Sequence, residues 1–218
     1  MIQISVAHDL DKLTRWLDDV QRKQLPFATA RALTRTAQDV QAEVPKLLTS
    51  VLDKPKPFTL RSTYIRRADK RTFPIQAEVG FKRKQAAYLA ALLKGGSREL
   101  KPSETRFRGR PIVPGPAAPM DQYGNVRKTD MIRILRAADN GGRGWKGGTV
   151  FVGKGKQGRL PDGIWQMDGR QIRPLFFFAD QVQYERTIPF LDASRRVVRD
   201  RFPRNFGDAV RGALATAR

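Results

Sequence analysis

The sequence predicts an α+β fold: a small, mainly antiparallel sheet packed against a long N-terminal helix and a C-terminal helix, with an extended proline-rich arm. An apolar stripe at helical spacing follows residue 25, short runs rich in β-branched and aromatic residues recur, and a basic amphipathic stretch follows Pro189. The 218 residues suffice for one core with an extension. We expect residues 1–96 and 129–218 to form that core, interrupted by an arm at 97–128.

The N-terminal part is predicted to hold a strand and two helices. Residues 1–7 alternate apolar and polar side chains, as in a strand buried on one face, and residues 9–22 carry large apolar side chains at helical spacing. A second helix should begin at Leu25-Pro26, because proline is pre-organised for the first helical turn. Pro45 should kink or break this helix near residue 44, because proline removes one helical hydrogen bond.

A hairpin and a short helix should follow. Residues 63–68 and 75–81 have strand-like composition and flank a polar turn, which is typical of a hairpin. Residues 85–94 carry an apolar stripe, and Gly95-Gly96 supplies the flexible stop that often ends a helix.

The composition changes over residues 97–128. Prolines at 102, 111, 114, 116 and 119 are mixed with arginines, and large apolar residues are few. Such a segment buries too little surface to offset its ordering entropy. We expect a long loop or arm that a partner orders.

The remainder should return to the core. Thr129-Asp130 could cap a short helix ending near Ala138. Three strands are then predicted, at residues 149–152, 163–168 and 173–179.

The last helix is predicted to have two different faces. Its apolar face should carry Leu191, Ser194, Val198 and Phe202, opposite Arg195, Arg196, Arg199 and Arg204. We expect Asp192 to pair with Arg196, and Asp200 with Arg196 or Arg204, each pair stabilising the helix by tenths of a kcal/mol.

Positive charge is the strongest indication of function. Lysine and arginine total 42 against 21 acidic residues, a formal net charge of +21, which favours contact with polyanions or acidic protein surfaces. No module that reads bases is visible, so any contact with nucleic acid should be sequence-independent and salt-sensitive. The candidate interaction residues, facing an assembly partner or DNA, are Arg106, Arg108, Arg110, Lys154, Lys156, Arg159, Arg195, Arg196, Arg199 and Arg204.

Several chemistries find little support in the sequence. The absence of cysteine excludes disulfides and thiolate sites, and His8 is the only histidine, without a serine constellation around it. Residues 148–154 match the glycine and lysine spacing of a phosphate-binding loop, but strand-forming residues lie between and Gly155 replaces the hydroxyl residue. Asp162 invites a metal-nuclease interpretation, yet the acidic residues are scattered. We predict no catalytic residue, metal or cofactor.

No apolar run reaches the roughly 18–20 residues that a spanning helix needs, and the first residues lack the order of a signal peptide. We therefore expect no membrane association and synthesis in a cytoplasm.

Three stretches resemble a known family. PFATARALTRTA at 26–37 starts a long alanine-rich helix, GIWQM at 163–167 is a glycine followed by an aromatic-containing strand, and IPFLDA at 188–193 enters the last helix. DQYGNV at 121–126 precedes a short helix. In these features and in the order of its elements, the chain resembles the small neck and tail-completion proteins of long-tailed bacteriophages, in particular the minor tail protein Z type.

The resemblance implies a structural virion protein without enzymatic activity, made in the host cytoplasm and located in the tail or neck. It would complete the tail at its head-proximal end or join tail to head, as a homo-oligomeric ring or plug that contacts tail terminator, tail tube or head-completion (stopper) proteins. Contact with genomic DNA would also suit a cationic surface. Two other functions stay open: sequence-independent nucleic-acid binding and, third, a metal-dependent nuclease.

Overall fold

The structure is a computed structural model that describes residues 14–18, 20–140, 143–145, 147–153 and 161–216. Its helices are α1 (Leu25–Val51), α2 (Pro57–Leu60), α3 (Arg83–Lys94), α4 (Pro102–Arg106), α5 (Lys128–Asp139) and α6 (Phe190–Thr216). Its strands are β1 (Thr63–Arg66), β2 (Glu78–Phe81), β3 (Gly96–Ser97), β4 (Ile112–Pro114), β5 (Arg143–Trp145), β6 (Gly148–Gly153), β7 (Gly163–Asp168), β8 (Gln171–Phe178) and β9 (Gln183–Tyr184).

The α+β class is confirmed: a long N-terminal helix, small antiparallel sheets and a long C-terminal helix. The chain divides into two compact units, one of Met1–Ala87 with Ile188–Arg218 and the other of Tyr88–Thr187. This division differs from the expected boundaries at residues 96 and 128. The strand predicted at residues 1–7 lies outside the described residues. Of the helix predicted at 9–22, residues 14–18 are helical and a short π-helical turn, Val20–Gln24, precedes α1.

The first unit is built on α1 and α6, which have 27 residues each and pack along one another. Helix α1 begins at Leu25, as predicted, with proline in its first turn. Small side chains lie where the two helices meet, and larger apolar side chains of α6 pack against them. The buried members are Ala28, Ala32, Ala209 and Ala213, with Phe202, Phe206 and Val210 packed against them.

Pro45 lies inside α1, but the helix continues to Val51, so of the kink or break expected near residue 44 the break is absent. Val44 and Leu48, on either side of the proline, are buried. We infer that burial of these neighbours compensates for the single helical hydrogen bond that proline removes.

The predicted hairpin is confirmed with shorter strands. β1 and β2 pair antiparallel, with Thr63 opposite Phe81. Side chains of α1 hold the hairpin at both ends: Thr34 Oγ1 accepts from the N–H of Ala68 at 3.1 Å, and Gln41 Nε2 donates to the carbonyl of Thr63 at 3.3 Å. The small sheet therefore packs on the long helix.

The second unit contains a five-stranded antiparallel sheet in the order β4-β8-β7-β6-β5, with α5 packed against β5 and β6. The strands predicted in this region are confirmed, and β6 occupies residues 148–153 of the stretch that matches the phosphate-loop spacing, whose lysine lies outside the described residues. Helix α5 begins after Arg127 without a side-chain cap, so the predicted cap at Thr129-Asp130 is wrong. Buried residues join the helix to the sheet: Ile134, Leu135, Ala138, Val150, Ile164, Leu175 and Phe176.

Residues 97–128 belong to this unit, which corrects their interpretation as an extended arm ordered by a partner. β4 pairs with β8, and Phe107, Ile112 and Ala118 are buried in the core. Pro102 lies in the first turn of α4 and Pro114 in edge strand β4, positions where a proline costs no essential hydrogen bond. The apolar residues are few, but they are placed where they reach the sheet.

The two ends of the second unit meet. β3 pairs antiparallel with β9, with Gly96 opposite Tyr184. Next to this pair, the N–H of Thr187 donates to the carbonyl of Leu92 at 2.9 Å.

Candidate cationic surfaces

Helix α6 carries the largest group of predicted site residues. Arg195, Arg196 and Arg199 line one shallow, open depression together with Asp192, and Arg204 is exposed further along the helix. Arg195 lies 3.9 Å from the Asp192 carboxylate, and Arg199 Nε donates to Asp200 at 3.0 Å. The structure therefore brings three of the ten candidates together and partly neutralises two of them.

Two expectations for α6 are wrong. The aspartates pair with Arg195 and Arg199, not with the predicted Arg196 or Arg204. Leu191 and Val198, predicted on the buried face, are 58% and 43% exposed. The residues of α6 that are buried are Asn205, Ala209 and Ala213. The contact with α1 uses small residues and an amide, which a search for large apolar side chains misses.

Asn205 lies at this helix contact. Its Nδ2 donates to Thr36 Oγ1 at 3.0 Å and to Asp39 Oδ2 at 2.8 Å, both on α1. Because the side chain is buried, these bonds offset its desolvation and fix how α6 lies on α1.

Arg110, predicted to contact a partner or DNA, forms ion pairs within the second unit. Its Nη1 donates to Asp162 at 3.2 Å, its Nη2 donates to Asp180 at 2.7 Å, and its guanidinium lies 5.8 Å from the centre of the Phe178 ring. Arg110 thus stabilises this unit. The same contact gives Asp162, considered above for nuclease chemistry, a cationic partner.

The other candidates of the second unit are separate from α6. Arg108 is exposed beside the ring of Phe107, at 6.0 Å from its centre. The side chain of Arg106, and all of Lys154, Lys156 and Arg159, lie outside the described residues.

A buried ion pair in the second unit escaped the sequence analysis. Glu104 is fully buried and accepts from both Nη atoms of Arg98 at 2.6 Å, from the N–H of Lys101 at 2.7 Å and from that of Ile112 at 3.0 Å. Burial alone would raise the pKa of Glu104, but these hydrogen bonds outweigh it, so the pKa lies below its ordinary value. Proline followed by glutamate two residues later, as at 102–104, is a helix-start pattern that could have indicated α4.

A second cationic surface was also missed. The α2–α3 depression, a name used here for the open hollow of about 540 Å³ between these helices, is lined by Phe58, Arg61, Lys82, Arg83, Lys84 and Gln85. The signal in the sequence is the run Lys82-Arg83-Lys84 directly before an apolar stripe. A helix start favours acidic residues there, and α3 has none in its first turn.

Across the described ranges, no three His, Cys, Asp or Glu side chains come together in a way that could hold a metal ion. The same part of the chain contains no helix that is both long and apolar enough to cross a membrane. His8 lies outside it.

Comparisons with protein-family models, curated proteins and solved structures gave no match to the chain.

Proposed function

We propose that the protein is a structural, non-enzymatic component of a tailed bacteriophage virion that completes the tail at its head-proximal end or joins tail to head. The observation that carries the proposal is the outer face of α6. Leu191 and Val198 are exposed there, and Arg195, which was predicted on the opposite face, lies one turn from each with its side chain 79% exposed. Exposed aliphatic side chains beside arginine suit a protein interface, where arginine is enriched and apolar atoms are desolvated.

The partners that fit are other subunits of the tail or neck: a tail terminator, tail tube or head-completion protein, or further copies of this chain in a ring. Residues 26–37, 163–167 and 188–193, which carry the resemblance to tail-completion proteins, support this choice. A cationic helix face also suits acidic neighbouring subunits, because complementary charge steers association and suppresses wrong partners.

Particles assembled without the protein should have tails that fail to join heads productively or to pass DNA. Complementation with Leu191→Ser/Val198→Ser should restore head–tail joining less well than complementation with Leu214→Ser, a control on the same helix at a residue that is 38% exposed. Joined particles can be counted by electron microscopy, and infectious particles by plaque assay. Normal infectivity of particles lacking the protein would refute the proposal.

Sequence-independent nucleic-acid binding is the second candidate, favoured by the net charge of +21. Titration against duplex DNA at two salt concentrations tests it, because binding through phosphates weakens steeply with salt. Lack of binding at low salt, with binding to acidic protein partners retained, would remove this candidate.

A further inference from the structure

The α2–α3 depression concentrates positive charge without internal compensation. Four of its six lining residues, Arg61, Lys82, Arg83 and Lys84, are cationic, and none is acidic. Among the described residues, no carboxylate lies within ion-pair distance of Arg61, Arg83 or Lys84. On α6, by contrast, Asp192 and Asp200 partly neutralise the arginines. Like charges held this close repel one another, so a bound polyanion would relieve the repulsion.

Hydrogen bonds fix the backbone around the depression, and of the four cationic side chains only that of Lys82 takes part in them. Lys82 Nζ donates to the carbonyl of Arg61 at 3.0 Å, and the nearly buried Gln85 donates through Nε2 to the carbonyl of Phe58 at 3.3 Å. The N–H of Lys82 donates to the carbonyl of Ser62 at 2.7 Å. These bonds tie the end of α2 to the start of α3. The side chains of Arg61, Arg83 and Lys84 are left exposed around a fixed backbone.

The aromatic residue in the lining, Phe58, favours nucleic acid over other polyanions as the ligand. Phe58 is 54% exposed, so one large apolar ring is presented beside the cations. Proteins that bind single-stranded nucleic acid combine cations that follow the backbone with aromatic rings on which bases stack. An acidic peptide would satisfy the cations but offers no flat base to the ring.

We propose that the α2–α3 depression binds single-stranded nucleic acid. Arg61, Arg83 and Lys84 contact consecutive phosphates, and a base stacks on Phe58. The inference deepens the second candidate function by naming a site and a strand type. It uses neither the α6 face nor the virion role, so it stands or falls separately from the structural role in the tail or neck.

The first test compares two variants of equal charge. Each variant loses three positive charges. The depression variant is Arg61→Gln/Arg83→Gln/Lys84→Gln, and the α6 variant is Arg195→Gln/Arg196→Gln/Arg199→Gln. Lys82 is kept because its Nζ donates to a backbone carbonyl. Binding of a fluorescein-labelled oligothymidylate of about 20 nucleotides, long enough to span a site of about 4–16 nucleotides, is measured by anisotropy over a series of salt concentrations.

The depression variant should bind at least about tenfold more weakly at low salt, and the slope of log K against log salt should fall by about 2 for three lost phosphate contacts. The α6 variant should change affinity by less than about twofold. Equal losses in the two variants would overturn the proposal, because they would show that net charge alone binds the strand. Undetectable binding by the parent protein would overturn it as well.

The second test isolates the ring. Phe58→Ala should weaken binding by about fivefold or more, the value of one lost stacking contact. Phe73→Ala, a control at a phenylalanine that is 96% exposed outside the depression, should leave binding unchanged. Thermal unfolding monitored by circular dichroism checks that both variants are folded. If Phe58→Ala binds as the parent does, and polyglutamate competes as well as oligothymidylate, the ligand is an acidic peptide and the proposal is wrong.

Discussion

Replacement of Glu104 by alanine measures how much a buried charge stabilises the second unit. The variant leaves the guanidinium of Arg98, whose side chain is 15% exposed, without its carboxylate, and the N–H groups of Lys101 and Ile112 without their acceptor. Removing one partner of a buried ion pair costs about 3–5 kcal/mol, whereas an exposed pair contributes about 0–1 kcal/mol. We therefore expect the free energy of unfolding of this unit to fall by about 3–5 kcal/mol.

Urea denaturation followed by tryptophan fluorescence measures this change. Glu43→Ala is the matched control, because it removes an exposed ion pair with Lys46, 3.0 Å long, and should cost less than about 1 kcal/mol. Arg98→Met/Glu104→Leu should be more stable than Glu104→Ala, since no uncompensated charge stays buried. A loss below about 1 kcal/mol for Glu104→Ala would refute the argument that the pair is buried and fully bonded.

The same carboxylate predicts acid sensitivity. The pKa of Glu104 is lower in the folded state than in the unfolded chain, so the folded state binds fewer protons. Its contribution to stability is present above the unfolded value of about 4.3 and is lost as the pH falls through the lower folded value. Urea midpoints measured below about pH 4.3 should fall more steeply for the parent than for Glu104→Gln. Parallel pH profiles would contradict this assignment.

Two further substitutions, with one control, test the helix contact and the sheet. Asn205→Ala removes the hydrogen bonds to Thr36 and Asp39 and should lower the free energy of unfolding by about 1–3 kcal/mol, measured by thermal denaturation; an unchanged melting temperature would contradict the role of the amide. Gly163→Ala places a Cβ atom in collision with the carbonyl oxygen of Phe176 on β8 and should cost at least about 1–3 kcal/mol. Gly207→Ala, within α6 and 3.5 Å from the nearest side chain, should instead stabilise by about 0.5–1 kcal/mol. Equal effects of the two alanines in urea titrations would show that β7 and β8 do not approach as closely as described.

Local pattern predicted most of the helices and strands, because apolar spacing reports which face of an element is buried. Local pattern did not predict the structure of residues 97–128. Their composition resembles that of a disordered segment, but Phe107, Ile112 and Ala118 are buried in a core completed by residues far along the chain. Burial there depends on partners that composition cannot indicate.

The candidate site was harder to predict than the fold. The sequence identifies the cationic residues directly. Whether a cationic side chain is free to bind a partner depends on which carboxylates the fold brings near it. Arg110 pairs with Asp162 and Asp180, which are 52 and 70 residues away in sequence. The α2–α3 depression likewise combines residues 58–61 with 82–85, two segments that are not adjacent in the sequence.

The pairing of β3 with β9 has a consequence for how the first unit closes. The folded second unit holds its own ends one strand spacing apart, about 4.8 Å. The chain between Ala87 and Ile188 then behaves as a short connection, although it contains the whole of Tyr88–Thr187. Closing a flexible loop costs about (3/2)RT ln n, so replacing roughly a hundred free residues by roughly ten saves about 2 kcal/mol of chain entropy. Folding of the inserted unit thereby makes the start of α3 and the start of α6, which are distant in sequence, close neighbours along the effective chain.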